Sequence, residues 1–452
     1  MSRIMSLVLL LAILLVAVPS APVAAETASP LLTDPEMCVG SGGVYGPDGA
    51  GSNYCLWVPP TGWNGDLVIY AHGYVDPQVP VGAIPWDQIV LDNTVIPPLT
   101  LPQVLVGMNY AFAITSYSKN GLAVQEGITA VNQLASLFKI EHPQGHIFLV
   151  GASEGGLVTA KAIEQNSNDL FNGGVTTCGP VGNFPSQVNY WGDFRVLLDY
   201  FFRNSQPLMS MLQYSPVDIS QATIDSWNDG TLKAVLLNAL QSDPNATSQL
   251  MKVSKAPYDH ADPVNTIGQT VVGIMDYNIN ATNDGTDTLG GQPFDNTPRW
   301  YFGSANDWLL NLKVERFNAD PAAVAAMKGL QTTGKIKAPL VAMHTTGDPI
   351  VPYWHELLYL LKVWGAGKAS QFFTIPIVRY GHCAFTPKEA IFAFAVMVFK
   401  ATGQIPLALL SPQADNPYQV LTMEDYQSLM AEAEVNNQVY GPVKVYVPMT
   451  TK

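Results

Sequence analysis

The chain has 452 residues, 48% of them hydrophobic and only 13% charged, with a formal charge of −14. That apolar share excludes an intrinsically disordered chain, the sparse charge excludes a charge-laced coiled coil, and 37 Gly and 34 Pro without a period exclude a collagen. An acidic balance also argues against nucleic-acid phosphates and anionic membrane surfaces as partners, while the length suits either two or three domains or one large α/β domain with an insertion.

Residues 1–25 read as a secretory leader: Arg3 supplies the positive start, Leu7 to Val18 is an unbroken apolar run, and Val23-Ala24-Ala25 offers small residues for cleavage. An apolar run that short cannot cross a hydrocarbon core of roughly 30 Å, so no stable membrane anchor is expected. The expected location is secreted or periplasmic, where disulfides form. Four Cys allow three pairings. Cys38 and Cys55 flank a Gly-rich turn stretch that suits a local bridge, which leaves Cys178 with Cys383.

A short strand is expected near Tyr54–Val58. The β-branched run Asp66–Ala71 predicts a strand that ends in His72-Gly73-Tyr74. A Pro-rich loop follows, then a strand over Tyr110–Tyr117. From Gly121 to Ile140, Leu122, Val124, Ile128, Val131, Leu134 and Leu137 recur mostly at three- and four-residue steps, the helical period. His146–Val150 reads as a strand, Gly156–Gln165 as a helix and Gly174–Cys178 as a strand. The rhythm breaks over 185–335, where aromatic clusters, helix-like pieces and a polar loop from Asn280 to Asn296 appear. It resumes with strand Pro339–Met343, a helix from about Tyr353 to Trp364, strand Phe372–Val378 and helix Pro387–Ala401. The tail predicts a helix near Met423–Val435 and an edge strand at Val443–Val447. Continuous apolar strands alternating with helices indicate a mostly parallel, doubly wound sheet covered on both faces.

Gly151-Ala152-Ser153-Glu154-Gly155 is a G-x-S-x-G motif between a predicted strand and a predicted helix. In that setting a sharp turn lifts the serine hydroxyl to the C-terminal edge of the sheet. A hydroxyl near pH 7 needs a base, and the base needs an orienting carboxylate. Asp348 follows strand Pro339–Met343 and His382 follows strand Phe372–Val378, both at the strand-end edge where Ser153 lies. That edge is where ligands bind in open parallel sheets.

The combination resembles the α/β-hydrolase superfamily over roughly 50–180 and 336–403, with the chain order Ser, Asp, His. The resemblance implies an α/β-hydrolase fold with core segments 26–184 and 336–452, and a large, mainly helical cap over 185–335. It implies Ser153 as nucleophile, His382 as base and Asp348 as the orienting acid. It also implies an oxyanion hole built from the backbone N–H groups of Tyr74 and Glu154, with no cofactor and no metal. His72 is expected to be structural. His382-Cys383 is similar to tannases and feruloyl esterases, in which the Cys after the histidine bridges to a Cys just before the serine. Ala152 stands at that second position here, which leaves Cys178 as the partner for Cys383.

The resulting expectation is an exported serine hydrolase acting on hydrophobic small-molecule or polymeric esters. The alternatives are a serine peptidase and a non-catalytic binding protein of the same fold. Cap aromatics (Tyr190, Trp191, Phe201, Phe202, Trp227, Trp300, Trp308) are candidates for lining the substrate site. His355-Glu356 lacks a second His at metalloprotease spacing, and Asp284, Asp287 and Asp295 do not follow a calcium-loop pattern. Asn245 and Asn280 stand in glycosylation acceptor triplets.

Overall fold

The computed structural model describes residues 33–440, apart from 167, 214, 407–409 and 411–419. The leader and the expected strand at Val443–Val447 lie outside the described residues. Eight strands form one sheet: β1 (Val44–Pro47), β2 (Asn53–Trp57), β3 (Leu67–Ala71), β4 (Ala111–Thr115), β5 (Ile147–Ala152), β6 (Gly173–Thr177), β7 (Leu340–Gly347) and β8 (Phe372–Tyr380). Their order is β1-β2-β4-β3-β5-β6-β7-β8. The β1–β2 and β2–β4 pairs are antiparallel, and every pair from β4 to β8 is parallel.

The strands are apolar on both sides because both faces are covered. Successive side chains point to opposite faces, and the two cores divide accordingly. Val68, Tyr70, Phe112, Ile114, Phe148, Val341 and Met343 belong to one buried cluster. Leu67, Ile69, Ala111, Ala113, Ile147, Leu149, Leu340 and Ala342 belong to the other. The first face is closed by Pro387–Thr402 and Met423–Tyr440, through residues such as Phe392, Phe394 and Tyr426. The second is closed by α1 (Val124–Glu141), α2 (Glu154–Gln165) and α5 (Trp354–Gly365).

Between β6 and β7 the chain leaves the sheet for a series of helices. Two of them frame the site: α3 (Phe184–Phe201) and α4 (Pro263–Leu289). This segment has its own buried cluster around Phe194, Trp227, Leu236, Leu250 and Ile274, which also takes in Ile350 and Val351 from the loop after β7. Its last helix, Pro321–Leu330, departs from the rest: Ala323 and Met327 pack in the cluster beneath the sheet.

One expectation is corrected here. The polar stretch beginning at Asn280 is not a loop as far as Leu289; it is the last third of the 27-residue helix α4. Asn, Asp and Thr are poor helix formers because they compete for backbone hydrogen bonds, but here those groups bond sideways. Asn283 bonds the backbone of Ile219, Asp284 accepts the Leu122 N–H, and Thr282 bonds back to the Asn278 carbonyl. Asp262 caps the helix start and Gly290 ends it with a positive φ. Asn280 therefore sits on a packed helix, not on a loop, whereas Asn245 is exposed near the start of Pro244–Ser254.

Candidate active site

Strands β3, β5 and β6 end level, with Ala71 opposite Gly151 and Ala152 opposite Thr177. The turn into α2 is sharp. Ser153 has φ 55 and ψ −121, a backbone conformation that side chains rarely adopt. The flanking glycines are required by crowding: a Cβ on Gly151 would strike the Gly155 carbonyl, and one on Gly155 would strike the Ala71 carbonyl. The Ser153 N–H donates to the Thr177 carbonyl at 2.9 Å, fixing the turn to β6.

The Ser153 hydroxyl lies 3.0 Å from His382 Nε2, and His382 Nδ1 lies 2.7 Å from Asp348 Oδ2. Asp348 is fully buried, and its Oδ1 accepts the N–H groups of Ile350 and Val351 at 2.8 and 2.9 Å. Burial pushes the Asp348 carboxyl up, but the charges and hydrogen bonds of His382 and His344 hold it down at about 2. It is thus ionised across the neutral range and fixes which ring nitrogen of His382 carries the proton.

Helix α3 locks the loop that carries Asp348. Tyr190 donates to the Pro349 carbonyl at 2.8 Å, and Gln187 and Trp191 donate to the Ile350 carbonyl at 2.8 and 3.1 Å. His355 donates through Nε2 to Gln187 and accepts the Gly182 N–H at Nδ1, so its ring is neutral. On the opposite side, Cys383 is bridged to Cys178 at the end of β6, with a Cα separation of 5.4 Å. Cys38 and Cys55 form the second bridge. Among the described residues the one cluster with metal-ligand proximity is Cys178, His382 and Cys383. Its two sulfurs are already bonded to each other.

The loop after β3 faces the same point. Gln88 clamps it by accepting the Gly73 N–H at 2.6 Å and donating to the Tyr74 carbonyl at 3.1 Å. The Tyr74 N–H has no protein acceptor among the described residues. Glu154 is the first residue of α2, a position whose backbone N–H has no intrahelical acceptor. His72 is buried, bonds the Gly73 carbonyl and stacks on Tyr117 at 3.7 Å; burial lowers it to about 4, so it is neutral.

This strand order, with Ser153, Asp348 and His382 after the ends of β5, β7 and β8, decides the architecture. The chain has an α/β-hydrolase fold. No protein-family model matches the sequence, and no curated protein matches it. Among solved structures the chain is similar to Candida antarctica lipase A, at 13% identity and TM-score 0.38 over 84% of this chain and 81% of that one. It is similar to feruloyl esterase B from Aspergillus oryzae, at 15% identity and TM-score 0.39 over 78% and 79%. It is also similar to Pyrococcus horikoshii acylaminoacyl peptidase, at 12% identity and TM-score 0.34 over 73% and 35%. The chain spans 35–41% of the acylaminoacyl peptidase chains it matches.

A pocket opens at Ser153 and runs between α3 and α4. Its wall is mostly apolar, with Phe184, Val188, Trp191, Val217, Leu289 and Phe294. Of the seven cap aromatics singled out from the sequence, only Trp191 lines it. Trp227 is completely buried in the helical segment's own core, and Trp308 is 72% exposed. Two more side chains line the pocket beside Ser153: Tyr277, which the sequence did not flag, and that of Glu154, which was named only for its N–H. Tyr277 stacks on Trp191 at 4.7 Å and tilts against Tyr74 at 5.6 Å. Glu154 accepts the Ala123 N–H at 2.8 Å, and burial raises its carboxyl to about 8. Tyr277 has no motif to announce it, because it comes from a helix far along the chain.

Proposed function

We propose that this protein is an exported serine hydrolase that cleaves carboxylic esters with an apolar acyl group. The observation that carries the reading is the continuous relay from the Ser153 hydroxyl through His382 to buried Asp348, opening onto an apolar pocket.

Ser153 attacks the ester carbon while His382 Nε2 takes its proton. Asp348 holds the Nδ1 proton and stabilises the imidazolium that forms. The N–H groups of Tyr74 and Glu154 receive the charge that develops on the carbonyl oxygen. A donor of that kind is worth roughly 2.7–4 kcal/mol in the transition state. His382 then gives its proton to the leaving alcohol, and water releases the acid by the reverse sequence. The pocket between α3 and α4 takes the acyl chain, and the helical segment 185–335 caps it against water.

Glu154 supports an ester over an amine substrate. A carboxyl that burial keeps largely protonated is a weak counter-ion for an ammonium group. The two disulfides suit an oxidising compartment, and no helix among the described residues is long and apolar enough to cross a membrane.

The test compares nitrophenyl esters of increasing chain length with peptide nitroanilides, using Ser153→Ala as control. Ester turnover that Ser153→Ala abolishes is the expected result. Peptide turnover alone would move the assignment to a serine peptidase, and no turnover of either would favour a binding protein.

A further inference from the structure

A second histidine, which the proposed reaction does not use, approaches the same carboxylate oxygen of Asp348 as His382 does. His344 sits on β7 and is fully buried. Its Nε2 is 2.7 Å from the Val351 carbonyl and 3.4 Å from Asp348 Oδ2, and its Nδ1 is 3.4 Å from Glu356 Oε1 on α5. The Val351 contact requires a proton on Nε2, because a carbonyl only accepts. Glu356 is 4% exposed in its side chain, and neither carboxylate oxygen has a hydrogen-bond donor. Without a cation beside it, a carboxylate so placed would be an unpaired buried charge. Among the described residues, His344 Nδ1 is the one basic nitrogen within 4 Å of it.

We propose that His344 is held as an imidazolium between Asp348 and Glu356, and that it is a positioning residue which shares the Asp348 charge with His382. The proposal rests on the reading of His382 as the base. One carboxylate then serves two cations. Asp348 therefore binds the His382 proton less tightly than it would alone, and His382 is free to act as a base at lower pH.

The surroundings agree with this charge pattern. Burial, the largest influence, pulls the His344 ring down, but hydrogen bonding and charge from Asp348 and Glu356 outweigh it and raise the ring to about 10. The other titratable group next to it on α5, His355, is pushed well below its ordinary value by burial first and by the His344 charge second. Tyr353 meets the ring edge-on at 5.8 Å. Tyr190, Tyr277 and Tyr380 face Asp348 from α3, α4 and β8, and all three are raised, first by burial, so they bring no charge near neutrality. Lys362 lies within the field of His355, and burial lowers it to about 8.

The experiment uses the full chain labelled with ¹⁵N in its imidazoles. At pH 7.5 the wild type is expected to show one histidine with protons on both ring nitrogens that does not titrate between pH 6 and 8.5. Glu356→Gln should convert that signal to a neutral tautomer. The double variant His344→Gln/Glu356→Gln, which leaves no lone buried charge, should lose it. In the double variant the acid limb of the kcat/KM profile should rise by about one pH unit, a roughly tenfold loss below the limb with the plateau retained. A merely structural role would lower the plateau and leave the limb in place. A neutral His344 in the wild type, or an unmoved limb in the double variant, overturns the proposal. The spectrum needs no turnover: an inactive wild type with a doubly protonated His344 would sink the esterase reading and leave the charge assignment standing.

Discussion

Cys383 follows His382 directly and is bonded to Cys178, so the loop that carries His382 is tied to the end of β6. The same strand end holds Ser153, whose N–H donates to Thr177. Serine and histidine are thus referred to one strand end. Replacing both cysteines, Cys178→Ser with Cys383→Ser, is expected to lower kcat on the order of 10–100-fold, since a displacement of about 1 Å is enough for such a loss. It should also lower Tm, because a bridge of this kind typically contributes about 2–4 kcal/mol. Steady-state kinetics and melting of the variant, with Cys38–Cys55 intact, check both numbers.

Ser153 stores strain in its backbone. Ser153→Gly is expected to abolish ester turnover and raise stability by about 1 kcal/mol, because glycine adopts that conformation without penalty. Ser153→Ala should abolish turnover as fully but leave stability near the wild-type value. Denaturant unfolding of the two variants side by side tests the difference.

Gly285 lines the pocket on α4, and a Cβ there would meet nothing within 4 Å. Gly285→Leu is expected to fill part of the cavity. The chain-length optimum for nitrophenyl esters should shift to shorter acyl groups while acetate and butyrate turnover is retained. The exchange should also stabilise the helix by about 0.5–1 kcal/mol, the ordinary penalty of an interior glycine.

Glu154 and His344 act on stability in the same direction as pH rises, over different ranges. The Glu154 carboxyl is raised from 4.5 to about 8, so the folded state holds a proton that the unfolded chain releases. Stability therefore falls as pH climbs from 4.5 through about 8. His344 is raised from 6.5 to about 10, so its contribution is complete below 6.5 and lost as pH rises through about 10. Glu154→Gln is expected to remove the first decline: it should leave Tm unchanged near pH 4 and raise it by several degrees at pH 8. Thermal melts at the two pH values decide it.

Asp348 works in the opposite sense. Its carboxyl is lowered from 3.8 to about 2, so its contribution is present above 3.8 and lost as pH falls through about 2. Asp348→Asn should flatten the acid end of the stability curve. It should also reduce kcat by about four orders of magnitude, because the amide presents a donor where His382 needs an acceptor.

Where function sits close to sequence, the sequence was informative. The strands announced themselves because a sheet covered on both faces needs continuous apolar runs. Ser153 stood between two recognisable elements, and Asp348 and His382 each followed a strand. The structure brings these three side chains into one hydrogen-bonded series, Ser153 to His382 to Asp348. What stayed hidden depends on distant packing. Helix propensity misread the polar end of α4, because Asn283 and Asp284 find partners in Ile219 and Leu122 that no local window contains. Aromatic content could not separate Trp191, at the pocket, from Trp227, in the core of the helical segment. Glu356 was noted only beside His355 as an incomplete metal motif, and only the fold brings it to His344.

The bridge between Cys178 and Cys383 closes a covalent macrocycle. Starting at the end of β6, the ring runs through every helix of the inserted segment, then β7, α5 and β8, and returns at the residue after His382. A protease that nicks the inserted helices opens this ring without releasing either half of the sheet. The nicked protein should migrate as one species on a non-reducing gel and as two after reduction, with the parts that bear Ser153 and His382 still joined. The chain can thus be cut at the roof of its pocket and keep its two ends at the same edge.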